Sequence, residues 1–141
     1  MYKQTCPCYS KIRKMKVLLF IVTLLVNTSI FNTNNILDDI GKLIIDRDAV
    51  ELCKLVSDNI DLAIVDVEKT YSKSQAEEVL KSFFKSHKVK DFKVLHSGSN
   101  NKALEFAIAR LVTENTSFRA YILVDKTGSS DHLIELRFEE E

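Results

Sequence analysis

Apolar residues Ile36, Leu37, Ile40, Leu43 and Ile44 recur every three or four positions, which predicts an amphipathic helix with Asn35 as its N-cap. Asp46-Arg47-Asp48 interrupts the pattern. Asp48 and Glu51 then have the spacing of a helix start, so a second, short helix is expected through about Val56. Asn59 reads as a left-handed stop, after which Leu62, Ile64, Val65 and Val67 predict a single strand. Ser72 with Gln75, or Ser74 with Glu77, supplies a capping box for the best helix of the chain. Its stripe of Ala76, Val79, Leu80, Phe83, Phe84 and His87 keeps the i, i+3, i+4 rhythm and requires a cover; Tyr71 falls at its opening.

From Asp91 the period changes to two. Phe92, Val94 and His96 share one face of a first strand, and Leu104, Phe106 and Ile108 follow the turn Ser97-Gly98-Ser99-Asn100-Asn101. Phe118, Ala120, Ile122 and Val124 follow Asn115-Thr116, and the last strand sets Ile134, Leu136 and Phe138 against Glu135, Arg137 and Glu139. Short turns between four such strands imply an antiparallel meander. The arrangement that buries every stripe is an α+β fold in which three helices on the N-terminal side cover one face of a curved antiparallel sheet.

The start of the chain has a different character. Lys16 precedes a ten-residue run, Val17 to Val26, that is apolar at every position but Thr23, and Asn27, Thr28 and Ser29 follow. That is the layout of a secretory signal peptide. The run spans roughly 15 Å as a helix, about half of a bilayer's hydrocarbon layer, so no stable membrane span is expected after processing. Residues 1–29 are therefore expected to be a leader, with Met15 as an alternative start, and residues 30–141 one exported domain, periplasmic or extracellular. Charge changes at the same boundary. The chain's 20 basic and 20 acidic residues cancel only because a +5 leader, carrying Lys3, Lys11, Arg13, Lys14 and Lys16, precedes a −5 remainder.

Composition narrows the chemistry further. At 45% apolar residues disorder is excluded, and three cysteines cannot build a disulfide scaffold or a four-cysteine zinc site. Cys6 and Cys8 lie in the leader, leaving Cys53 as a packing residue beside Ala49, Leu52 and Val56. No metal-ligand spacing, P-loop or Gly-rich fingerprint is present, so neither metal nor cofactor is expected. An acidic mature chain without an aromatic and basic strand motif argues against nucleic acid. Among the histidines, His96 is the functional candidate, expected to look into the space between sheet and helix; His87 reads as a core-edge imidazole and His132 as solvated. Arg119 and Tyr121 share a strand face, as do Glu135 and Arg137. If the register places both pairs on one face, they form an ionic and phenolic patch suited to a ligand or an interface.

The element order resembles the nuclear transport factor 2-like superfamily, also called cystatin-like or SnoaL-like. More narrowly, the chain is similar to a family of small exported bacterial proteins known as domain of unknown function 4783. The likeness rests on the leader followed by Ile36 to Val56, Asn59-Ile60-Asp61-Leu62, Tyr71-Ser72-Lys73 with Gln75-Ala76 and Phe83-Phe84, Phe92 to Gly98, Phe118 to Ile122, and Ile134 to Glu139. It implies the fold and export, and no established activity. Enzymes of the superfamily place an acid-base residue and a tyrosine inside the cone. The expectation is accordingly a non-catalytic module binding a small apolar ligand or a protein, with a homodimer through the sheet as one assembly. The alternative is a small-molecule isomerase or dehydratase using His96, a carboxylate and Tyr121.

Overall fold

A computed structural model describes residues 35–100 and 103–141. The expected leader, residues 1–29 with Cys6, Cys8 and Met15, lies outside the described residues. Helix α1 (Ile36–Asp46) starts where Asn35 Oδ1 accepts the Leu37 N–H at 3.3 Å. It ends in a Schellman closure: Arg47 is left-handed at φ 60°, its N–H donates to Ile44 O at 3.1 Å, and the Asp48 N–H donates to Leu43 O at 2.9 Å. Helix α2 (Ala49–Lys54) is capped by Asp48 Oδ1, which accepts from Glu51 N at 3.0 Å, as the spacing predicts.

The stretch after α2 departs from expectation. The single strand predicted around residues 62–67 is a hairpin, β1 (Val56–Ile64) and β2 (Val67–Ser72), turning at Val65-Asp66. Asn59 is inside β1 rather than at a helix stop, and Tyr71 is in β2 rather than at a helix opening. Neither strand shows a clean alternation: β2 is the sheet edge and has no buried residue, while in β1, between β2 and β6, Leu62 and Ala63 are buried in succession. Val65 carries φ 55°, a conformation in which a β-branched residue is strained, and its N–H donates to Phe138 O at 2.9 Å.

Helix α3 (Lys73–Ser86) begins at Ser72, whose N–H donates to Gln75 Oε1 at 3.2 Å, the reach-back half of a capping box. Lys73 Nζ donates to Lys54 O at 3.3 Å and Val56 O at 3.2 Å, tying the start of α3 to the end of α2. The meander follows as β3 (Val89–Asn100), β4 (Leu104–Thr113), β5 (Ser117–Asp125) and β6 (His132–Glu140). Sheet order is β2-β1-β6-β5-β4-β3, antiparallel throughout except for the parallel pair β1–β6. Helix α3 thus carries the chain from one edge to the other.

Ala76, Leu80, Phe83 and Phe84 of α3, with Ile40 and Ile44 of α1 and Leu52 of α2, are buried against Leu62, Ala109, Leu111, Phe118, Ile122, Leu136 and Phe138. The aromatic layer is tight: Phe83 stacks on Phe138 at 4.8 Å and meets Phe118 edge-on at 5.4 Å. The cone's inner face is therefore filled along most of its length. β3 extends through Asn100, past the turn expected to start at Ser97, because Gly98 pairs with Phe106 and leaves room for its ring. A methyl at Gly98 would sit 2.8 Å from that ring.

Two bulges re-aim side chains. Val94 pairs with Ala109 on the inner face, but His96 pairs with Ile108 on the outer one, because Leu95 is an extra residue between them. The expected common face of Phe92, Val94 and His96 is thus broken. Likewise Leu123 pairs with Glu135 while Val124 pairs with Leu133, so Leu133 is buried and Ile134 only half-buried.

Candidate functional site

Where β1 and β2 leave the sheet's edge and α3 crosses beside them, the cover over the inner face is incomplete. A cleft of about 330 Å³ opens there. Leu62 and Ile64 of β1, Val67 and Tyr71 of β2, and Val79, Phe83, Ser82, Ser86 and His87 along α3 line it. The walls are aliphatic and aromatic, and the polar atoms are one phenol, two hydroxyls and one imidazole. None of these lining residues carries a carboxylate.

His87 is the chemical centre of the cleft. It follows the last turn of α3, where its N–H donates to Phe83 O at 2.9 Å. The ring stacks on Phe83 at 4.6 Å and meets Phe118 edge-on at 5.1 Å, so its plane is held from two sides. Nδ1 lies 3.1 Å from Phe83 O and 3.0 Å from Ser86 Oγ, while Ser86 Oγ has Ser82 O at 3.1 Å. Tyr71, half-buried, has Lys69 Nζ 5.7 Å from its ring centroid. Among the described residues, no buried side-chain nitrogen or oxygen lacks a partner.

The residues singled out from the sequence lie elsewhere. Tyr121 pairs directly with Arg137, and Arg119 with Glu139, so Arg119, Tyr121, Glu135 and Arg137 do share a face, the outer one away from the helices. Arg137 contacts Glu68 at 3.1 Å, Glu135 at 3.4 Å and Glu139 at 3.6 Å, and Arg119 contacts Glu141 at 3.2 Å. Tyr121 and Glu141 raise the Arg119 guanidinium further above its ordinary range. His96 is exposed, with its ring 5.9 Å from Phe106. It lies in a row with Ile108 and Tyr121, but the strand of Ile108 separates the two by roughly 10 Å of backbone. His96 and Tyr121 therefore do not meet over the apolar cleft. A shallow depression of about 200 Å³ on that outer face is lined by Phe106, Ile108, Tyr121, Leu123 and Glu135.

Tyr71 escaped sequence reasoning because its strand did. His87 was visible only as the end of an apolar stripe, and its stacking partners come from a helix turn and from a distant strand. Cys53 packs as expected: it is buried, and burial, with Glu77 adding to it, pushes its thiol up to about 11. Among the described residues there is no group of three His, Cys, Asp or Glu side chains placed to hold a metal, and no helix long and apolar enough to cross a membrane.

This geometry, a cone of three helices on a bent mixed sheet with a cleft at one edge, is that of the nuclear transport factor 2-like class. Residues 37–139 match the family model described as domain of unknown function (DUF4783), and the chain belongs to that family. It is similar to a DUF4783 family protein from Bacteroides uniformis at 27% identity, covering 76% of this chain and 98% of that one, with a TM-score of 0.71. A Bacteroides ovatus member is 24% identical over 72% of this chain and 92% of that one, at a TM-score of 0.67. At the level of fold alone, a ketosteroid isomerase-like protein from Erwinia carotovora atroseptica aligns over 72% of this chain and 87% of its own, with 11% identity and a TM-score of 0.62. No curated protein matches the chain.

Proposed function

We infer that this protein is a non-catalytic binding module whose cleft between β1–β2 and α3 takes a small, mainly apolar molecule. The observation that carries this reading is the cleft itself: about 330 Å³, walled by Leu62, Ile64, Val67, Val79 and Phe83, with its few polar groups already positioned. That volume falls at the lower end of the roughly 300–1,000 Å³ range of small-molecule sites. The cleft's two proton-carrying groups, His87 and Tyr71, share no hydrogen bond among the described residues, and no lining carboxylate stands beside the imidazole to raise its basicity, which favours binding over proton transfer. The apolar run of residues 17–26 supports export, and the half-buried outer-face row Phe106, Ile108, Tyr121 and Leu123 supports pairing of two copies through the sheet.

Native mass spectrometry of the protein purified from its own host tests all three parts. The expected species is a dimer of chains shortened near residue 29, carrying a small molecule. Ser82→Trp fills the cleft from an exposed helix position and should lose that molecule while keeping the thermal melt of the parent. Retention of the molecule by the filled variant would refute the cleft as its site.

A further inference from the structure

The hydrogen bonds around His87 point to the chemistry of the molecule that fits. Phe83 O, 3.1 Å from Nδ1, has only lone pairs to offer, so Nδ1 carries the proton of the neutral ring. The tautomer is assigned from this network. Ser86 Oγ is consistent with it, since its hydroxyl can donate to Ser82 O at 3.1 Å and accept from Nδ1–H at 3.0 Å. Nε2 is then an acceptor with no protein donor among the described residues. Because no buried polar atom there is left without a partner, and His87 is half-buried, Nε2 must be open to solvent or to an occupant. The Tyr71 hydroxyl is in the same position, without a protein hydrogen bond among the described residues and not sealed from solvent.

We propose that the cleft selects a neutral apolar molecule bearing a hydroxyl, an alcohol or a phenol, whose O–H donates to Nε2 of His87. This rests on the cleft being the binding site. A carboxylate would set its lone pairs against the lone pair on Nε2. An ammonium would enter an apolar cleft whose lining has no carboxylate to offset its charge, at a large desolvation cost. A hydroxyl meets neither objection. Stacking on Phe83 and the edge-on contact with Phe118 hold the imidazole in place before anything binds, so little ordering is left for the binding step.

The test uses three probes of nearly equal bulk, 2-naphthol, 2-methoxynaphthalene and 2-naphthoate, titrated calorimetrically in mildly alkaline buffer, where imidazoles are neutral. The naphthol should bind about tenfold more tightly than the methyl ether, since a seated ether covers Nε2 without donating to it, and the naphthoate should bind worst. His87→Phe keeps the stacked ring and should equalise naphthol and ether. Equal affinities for those two probes in the unmodified protein, with both displaced by Ser82→Trp, would overturn the hydroxyl preference and leave the cleft standing as an apolar site. Tightest binding of the naphthoate would overturn it as well. Should none of the three bind, the cleft reading falls, and this inference falls with it.

Discussion

Two apolar hollows of similar size flank the helical layer. One is the cleft of about 330 Å³ between the β1–β2 hairpin and α3; the other is a groove of about 300 Å³ between α1 and β3, lined by Leu37, Asp38, Gly41, Lys42, Ile45, Phe92 and Val94. Volume does not separate them. The first has a floor of fully packed residues, Leu62 and Phe83, and a ring nitrogen held by its own helix turn. The second is closed by Phe92 leaning on Gly41, where a methyl would come within 3.1 Å of the ring, and its charged members Asp38 and Lys42 are exposed ends of a helix surface. The first therefore holds one polar ring in a fixed orientation, whereas the polar side chains of the second project freely from a helix surface.

The strongest way to break this contrast is to remove the aromatic ring from each. Phe83→Ala takes away a ring that stacks on Phe138 and His87, and should cost about 3–5 kcal/mol in denaturant unfolding. Phe92→Ala, at a half-buried strand position, should cost about half of that or less. Equal losses would mean that the two hollows are built alike. Beneath α3, Cys53 gives a second reading. Its folded thiol titrates near 11 and its unfolded thiol near 9, so between those values the unfolded chain releases a proton that the folded chain keeps. Stability should therefore be whole below about pH 9 and fall by up to about 2 kcal/mol as pH rises toward 11, a slope that Cys53→Ala removes. Unfolding curves across that range check it.

Backbone changes probe the two rims more gently. Val65→Gly relieves the strained φ of 55° at the lip of the cleft and should stabilise by about 1 kcal/mol in thermal or chemical melts. Gly41→Ala, at the floor of the groove, sets a gain in helix propensity of roughly 1 kcal/mol against the push on Phe92, and should stay within about 0.5 kcal/mol of the parent. A comparably small effect is expected on the outer face. Arg137→Met removes three ion pairs around a side chain that is 31% exposed, and should cost about 1 kcal/mol or less, with the difference shrinking further in high salt.

The helix stripes were legible because helix periodicity is local. Leu80, Phe83 and Phe84 show their common face within two turns, and Asn35, Asp48 and Ser72 lie directly at the helix starts that they mark. The meander was legible for a similar reason, since neighbouring strands joined by short turns need little more than alternation. The candidate site was hardly legible at all. Tyr71 and Val67 belong to an edge strand whose partner, β1, is chosen by a turn at a strained valine that no turn rule favours. The patch of Arg119, Tyr121, Glu135 and Arg137 does share a face, but alternation alone puts His96 on the inner side, and a single extra residue, Leu95, moves it to the outer one.

By itself, then, the sequence determined which segments are helical, which face of α3 is apolar, that four strands close the chain, and the family to which it belongs. Those properties depend on residues a few positions apart. Only the tertiary structure decided that β1 runs parallel to β6, that bulges at Leu95 and Ile134 exchange the faces of their neighbours, and that the gap left between β1–β2 and α3 contains Tyr71 and His87. Pairing partners and register are set by packing between residues far apart in the chain, and one inserted residue reverses every side chain beyond it without leaving a mark on the local pattern.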